Sequence, residues 1–217
     1  MVNKFVEFCK ANIDLSQKSY AESYKSMSEC LIDCVYSLRA KYFAVTVPVV
    51  NRYADKYMNG DSHAAGDDLE DLIKHIDEAG GCEVFARDIL KNMQVLGGLR
   101  KSEVVYRLAK VLLRLGINTM DDFKNFEDLD LLECMIHSVH GMGDAGTDYL
   151  VMLAGSDDRC KVDVHIHECV IDALGHDLNT KECQQLMKDA VNILKKEYPH
   201  LTVKQLDGLI WYKYQKR

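Results

Sequence analysis

The sequence predicts an all-α protein. Apolar residues recur at intervals of three and four almost throughout, and alternating β-branched runs bounded by turns are scarce. Several periodic segments also end or begin on helix-capping chemistry. Helices are expected near residues 2–13, 20–38, 45–58, 67–78, 83–93, 101–115, 128–138, 145–154, 164–174, 180–197 and 203–214. The first two rest on apolar spacing. In the third, Val45 to Val50 (VTVPVV) looks β-like, but Pro48 is tolerated in a helix's first turn and VVNRYADKY continues at helical spacing. Gly116 after LAKVLLRL and Gly175 after HECVIDAL stand where a left-handed stop is wanted. Asn179 with Glu182, and Thr202 with Gln205, fit capping boxes that start the last two helices.

With 217 residues, the chain can bury a substantial core as one large domain or as two small lobes sharing a cleft. Two prolines and 47% apolar residues describe an ordered chain. No apolar run reaches the roughly 20 residues a bilayer span needs, and the start MVNKFVEFCKAN lacks a signal-peptide core, so a cytoplasmic protein that meets no membrane is expected. Eight scattered cysteines then read as free thiols rather than disulfides. The net charge of −7 opposes binding to a polyanion, yet the acids concentrate in Gly66 to Glu78 and Asp121 to Glu133. Gly98 to Asn118 carries Arg100, Lys101, Arg107, Lys110 and Arg114 against Glu103 alone, and the last thirty residues hold seven Lys or Arg against three acids.

The informative stretch is Leu129 to Gly175. An apolar helix ends at IHSVH, Gly141-Met142-Gly143 follows, and a second helix, AGTDYLVMLAG, begins. Glycine permits positive φ and close backbone approach, and amides at such a turn can hold an anion such as a DNA phosphate. An ordinary helical hairpin would carry the same residues. After a polar loop, SDDRCK, Val162-Asp163-Val164-His165 opens the next helix, with Asp163 either its N-cap or a reactive carboxylate.

These residues together resemble the helix-hairpin-helix DNA glycosylase superfamily, whose signature is a Gly-x-Gly hairpin, a helix, a loop and an Asp in a Val-Asp-x-His context. LIDCVYSLRAKYFAVTVPVVNRY resembles the superfamily's early helix, its loop entering the DNA minor groove and the next helix. LRKSEVVYRLAKVLLRLGI resembles the pair before the hairpin, and LTVKQLDGLIWYKYQ the ending of one of its branches. The resemblance covers about residues 28 to 214. It implies a two-lobed helical fold with a cleft between the lobes: one lobe of approximately 28–155 carrying the hairpin, the other built from 1–27 and 156–217.

The implied activity is hydrolysis of the N-glycosidic bond of a damaged or modified base in duplex DNA by a monomer. Asp163 would be catalytic, stabilising the oxocarbenium-like sugar and preparing water. DNA contacts would come from His140, Gly141, Met142, Gly143, Ala145 and Thr147 at the hairpin and from Arg39 and Tyr42 in the early loop. Bifunctional members carry a lysine where Ala145 stands, so a monofunctional enzyme leaving an abasic site is expected. Arg39 replaces the glutamine common in the minor-groove loop. No cysteine follows Cys183, so no iron-sulfur cluster is expected; the resemblance leaves room only for a monovalent cation at the hairpin.

Other candidates have two readings each. Tyr42 is either a wedge filling the gap of a flipped nucleotide or a half-buried packing residue. His140 either contacts phosphate or is solvated. Trp211 and Tyr149 read as core, and Lys213 to Arg217 as a solvated tail or a phosphate contact. His137, His140, His165, His167, Cys160 and Cys169 invite zinc, but His165 and His167 point to different helix faces and neither C-x-x-C nor H-x-x-x-H is present, so no metal site is expected. The rival functions are a non-catalytic hairpin module that binds DNA or a protein partner, and a metal-dependent hydrolase.

Overall fold

Ser26 starts the most buried helix of the protein. Its side chain accepts from the Glu29 amide at 3.2 Å, so the helix expected at 20–38 begins instead at Met27. The computed structural model describes residues 1–17, 24–62, 64 and 66–215; the part of that expectation at residues 20–23 lies outside them. Helices dominate the described residues, which divide into two units: those of Ser23–Ala154, and those of Met1–Glu22 with Gly155–Arg217. None of the described helices is long and apolar enough to cross a membrane.

In the first unit, every residue of α2 (Met27–Ser37) is buried, as befits a helix surrounded by others. Around it pack α3 (Val47–Tyr57), α4 (Leu69–Glu78), α6 (Lys101–Arg114) and α9 (Asp144–Leu153). α3 begins as expected around Pro48, but the turn before it, Tyr42–Thr46, is π-helical. The helix expected at 83–93 is broken up: α5 (Cys82–Val84) runs into a π-helical turn, Phe85–Ile89, and the chain leaves the helix at Lys91, where φ is 49°.

Three elements escaped the sequence reading. Val95–Leu96 (β1) and Leu99–Arg100 (β2) form an antiparallel hairpin, closed by Gly97 and Gly98 at φ of 61° and 87°. Both loop residues need positive φ, which is why a Gly-Gly pair stands there; two-residue strands are too short to show alternation. The five-residue α7 (Met120–Lys124) is too short for helical periodicity, although its Thr119–Asp122 capping box is complete. α8 (Leu129–His137) and α9 then form the expected helical hairpin.

The second unit packs α1 (Val2–Asn12) against α10 (Val164–Leu174) and α11 (Thr180–Leu194), with α12 (Val203–Tyr214) on α10 and α11. Gly175 ends α10 at φ 87°, and the Asn179–Glu182 capping box starts α11. Thr202 accepts from the Gln205 amide at the head of α12. Two cations close helix C-termini: Lys4 Nζ donates to the Leu174 carbonyl and Lys213 Nζ to that of Asn12.

Candidate functional site

The hairpin between α8 and α9 uses its two glycines differently. Gly141 sits at φ 101°, and a Cβ there would meet the Leu96 side chain at 3.2 Å, so both conformation and space require glycine. Gly143 has φ −99°, ordinary for any residue, with nothing within 4 Å of where its Cβ would be. It is the N-cap of α9 and supplies no side-chain cap, leaving the first amides of that helix to whatever lies in front of them. The electrostatics are mixed. Asp144 opens α9 as an exposed carboxylate 3.1 Å from His137 Nε2, and its charge works against a phosphate at the same helix end.

Two of the remaining hairpin residues are buried. Met142 is buried, its side chain against Gly146, and its amide donates to the Val139 carbonyl. Thr147 is buried too, its amide bonded to Gly143. The exposed His140 ring is tied through Nε2 to the Gly97 carbonyl of the β-hairpin. Ala145 is partly exposed at the second position of α9, with no amine in its side chain.

Two buried polar hubs hold the loop after α2. On one side, Lys101, 2% exposed, donates from Nζ to the carbonyls of Tyr36 (2.9 Å) and Leu38 (2.8 Å) and to Gln94 Oε1 (3.1 Å). A cation there meets the negative end of α2 and satisfies carbonyls that helix termini leave open. On the other side, Asp33 accepts from the hydroxyls of Tyr24 (2.7 Å), Tyr42 (2.7 Å) and Tyr149 (2.8 Å). Burial first, then the charge of Asp33, pushes all three phenols far above their ordinary pKa, so they remain donors. Tyr149 belongs to α9, so Asp33 ties the loop to the hairpin's second helix.

Between these hubs, Arg39 sits exposed at φ 54°. Tyr42 is half-buried, its hydroxyl bonded to Asp33. Its neighbour Phe43 is 63% exposed and meets the Tyr42 ring edge-on, centroids 5.7 Å apart. Phe43 is the protruding aromatic that the sequence reading missed; exposure at a π-helical turn leaves no periodic signal.

In the other unit, the loop before α10 is anchored from two helices. The Gln184 side chain of α11 bridges the backbone of Cys160, donating to its carbonyl and accepting from its amide, and Asp207 Oδ1 of α12 accepts from the Lys161 amide at 3.1 Å. Two residues on, Asp163 is the N-cap of α10. Its Oδ1 accepts from the His165 amide at 2.9 Å, while Oδ2 makes no hydrogen bond among the described residues. Asp207 is the carboxyl the sequence reading passed over: burial, then the negative charge of Asp163, pushes its pKa up to about 8. The Asp207 carboxyl, beside Asp163, is therefore held largely protonated at neutral pH. The His165 ring adds a buried Nδ1 without a partner.

With this geometry in view, comparison with known proteins gives a family. Residues 3–216 match the family described as Domain of unknown function (DUF8548). The chain belongs to DUF8548. No curated protein matches the sequence of this DUF8548 member. Among solved structures it is similar to the crystal structure of Methanocaldococcus jannaschii 8-oxoguanine glycosylase/lyase in complex with a 15mer DNA containing 8-oxoguanine. The TM-score is 0.51 at 15% sequence identity, over 100% of this chain and 88% of that one. At that identity the likeness is one of fold: the DUF8548 chain has the fold of a helical DNA glycosylase.

Proposed function

We propose that this DUF8548 protein is a monofunctional DNA glycosylase, cutting the bond between a damaged or modified base and its deoxyribose in duplex DNA. The observation that carries the reading is the division of labour on Asp163: one oxygen caps α10 while the other has no hydrogen-bond partner among the described residues. A carboxylate fixed in that way can stabilise positive charge on the sugar ring and accept a proton from the attacking water. Water adds to C1′, the base leaves with the bonding pair of the C1′–N bond, and an abasic site remains. The Gln184 and Asp207 anchors hold the backbone leading to Asp163, so they act as positioning residues. Uncapped amides at the head of α9, with the open face of Gly143, would take a phosphate, and Arg39 and Phe43 would enter the groove and stack.

Ala145 supplies no amine for a Schiff base with the sugar, which supports hydrolysis without strand cleavage. The test is a panel of duplexes carrying base lesions and modifications, scored for abasic sites, with borohydride added to the productive reaction. Abasic sites without covalent trapping are expected. Efficient trapping would show that another amine reacts. One observation favours a non-catalytic hairpin module that binds a protein partner instead, the Asp144 carboxylate at the expected phosphate position; a complete panel without abasic sites and without measurable duplex binding would support that reading.

A further inference from the structure

The connection between α10 and α11 gathers three donors of different chemistry. His167 lies in α10, Asp177 in the turn beyond Gly175, and Cys183 at the fourth position of α11. A ring nitrogen, a carboxylate oxygen and a thiol sulfur from these residues lie within 4.8 Å of one another. His167 Nδ1 and Asp177 Oδ1 are 2.7 Å apart, and the same oxygen accepts from the Leu178 amide at 2.8 Å. Cys183 Sγ has only a long contact, 3.7 Å, to the Leu178 carbonyl. The side chains of His167 and Asp177 are 28% and 52% exposed, whereas Cys183 is buried behind them. An ion would thus reach the site from water and meet sulfur at its floor.

We propose that His167, Asp177 and Cys183 form a zinc site with three protein ligands and water in the fourth position. A thiolate, a carboxylate and a neutral imidazole together balance a divalent cation, and a sulfur–nitrogen pair selects zinc over magnesium or calcium. Zinc bonds of about 2.0–2.3 Å place tetrahedral ligands roughly 3.3–3.8 Å apart. The His–Asp pair must therefore open by somewhat less than an ångström and the wider pairs close by up to a little more than an ångström, movements within reach of a half-exposed and an exposed side chain. The Leu178 amide already orients the carboxylate, as partners behind metal ligands do. On binding, the Cys183 thiol proton passes to solvent and the His167 proton moves to Nε2. Glu182 is outside the group whose donor atoms lie together, and its carboxylate accepts from the Asn179 amide in the capping box.

The ion would pin α10 to α11 across their turn. The His167 amide donates to the Asp163 carbonyl, so the clamp grips the helix that Asp163 caps, one turn along. The zinc site does not depend on the glycosylase reading. Spacing rules miss it because its third ligand is an aspartate and its cysteine lies in the next helix.

The experiment titrates the metal-free full-length protein with Zn2+ against a chromophoric chelator and with Co2+ in an optical cell. One equivalent of zinc should bind, Co2+ should show a thiolate-to-metal charge-transfer band with the intense visible bands of four-coordination, and saturating zinc should raise the Tm. Cys183→Ser should abolish the charge-transfer band. Because Cys183 is buried and that variant can unfold, Asp177→Asn at an exposed position carries the same test: affinity should fall at least about tenfold with the fold intact by circular dichroism. No stoichiometric binding, a cobalt spectrum without the thiolate band, or unchanged affinity in folded Asp177→Asn would each overturn the site.

Discussion

At the scale of single residues, two carboxylates show how surroundings assign a role. Asp163 caps its helix with one oxygen and keeps the other unbonded among the described residues. Asp163→Asn keeps the cap, since Asn caps about as well as Asp, so stability should change little. Base excision should fall about a hundredfold or more, the scale on which one aimed electrostatic group acts. Single-turnover excision beside thermal unfolding checks this; retained excision in a folded variant would leave Asp163 only a cap.

Glu29 is the opposite case: it is fully buried on α2, with neither side-chain oxygen bonded. Burial, then the charges of Asp67 and Asp61, pushes its pKa up to about 8. The unfolded value is about 4.3. The folded state therefore binds a proton that the unfolded chain lacks between these two values. The stability linked to Glu29 is complete below about pH 4 and is lost as pH rises to about 8. Glu29→Gln should leave stability unchanged at pH 4 and raise it by roughly 2–4 kcal/mol at pH 8.5. Urea unfolding at both pH values measures the difference, and an equal effect at both would remove the carboxyl from the account.

At the scale of elements, the α8–α9 turn is held by a neighbour that precedes it in sequence. Leu96 of β1 fills the space that any side chain at Gly141 would need, and the Gly97 carbonyl holds His140. Gly141→Ala should therefore destabilise the protein by about 1–3 kcal/mol through backbone strain and the clash. Gly143→Ala should cost no more than about 1 kcal/mol, because its φ is ordinary and its Cβ meets nothing. If backbone at Gly143 faces phosphate, that variant should weaken binding to all duplexes alike, since phosphate contacts carry no sequence information. Fluorescence anisotropy on several sequences reads this out, and unchanged affinity would take the turn out of the interface. Asp33 works on the same scale: by bonding tyrosines from the start of the chain's buried core, from the Arg39 loop and from α9, it fixes three segments relative to α2.

At the scale of the whole molecule, charge limits how DNA can be bound. The net charge is −7, and the basic run at Gly98 to Asn118 is largely occupied. Lys101 is buried, Arg107 pairs with Glu103, Arg100 donates to the Met93 carbonyl, and Lys110 lies over the Tyr106 ring. With four of that run's five cations engaged, duplex binding through it should depend only weakly on salt. Log K against log salt should be shallower than about −4, at roughly −0.9 for each phosphate neutralised. A steeper slope would reveal a basic surface outside these residues.

The sequence by itself determined the helices with long periodic faces, their capping boxes at Asn179 and their stop at Gly175, because those depend on residues within one or two turns of each other. It also marked the hairpin glycines and Asp163, whose chemistry shows in a short local pattern. Only the tertiary structure decided which of these groups are available. Met142 and Thr147 are buried, Tyr42 is tied to Asp33, Lys101 is drawn inside by the end of α2, and Asp207 is brought beside Asp163. It likewise gathered His167, Asp177 and Cys183 within 4.8 Å. Exposure, protonation and donor geometry are set by partners distant along the chain, and local periodicity carries no record of them.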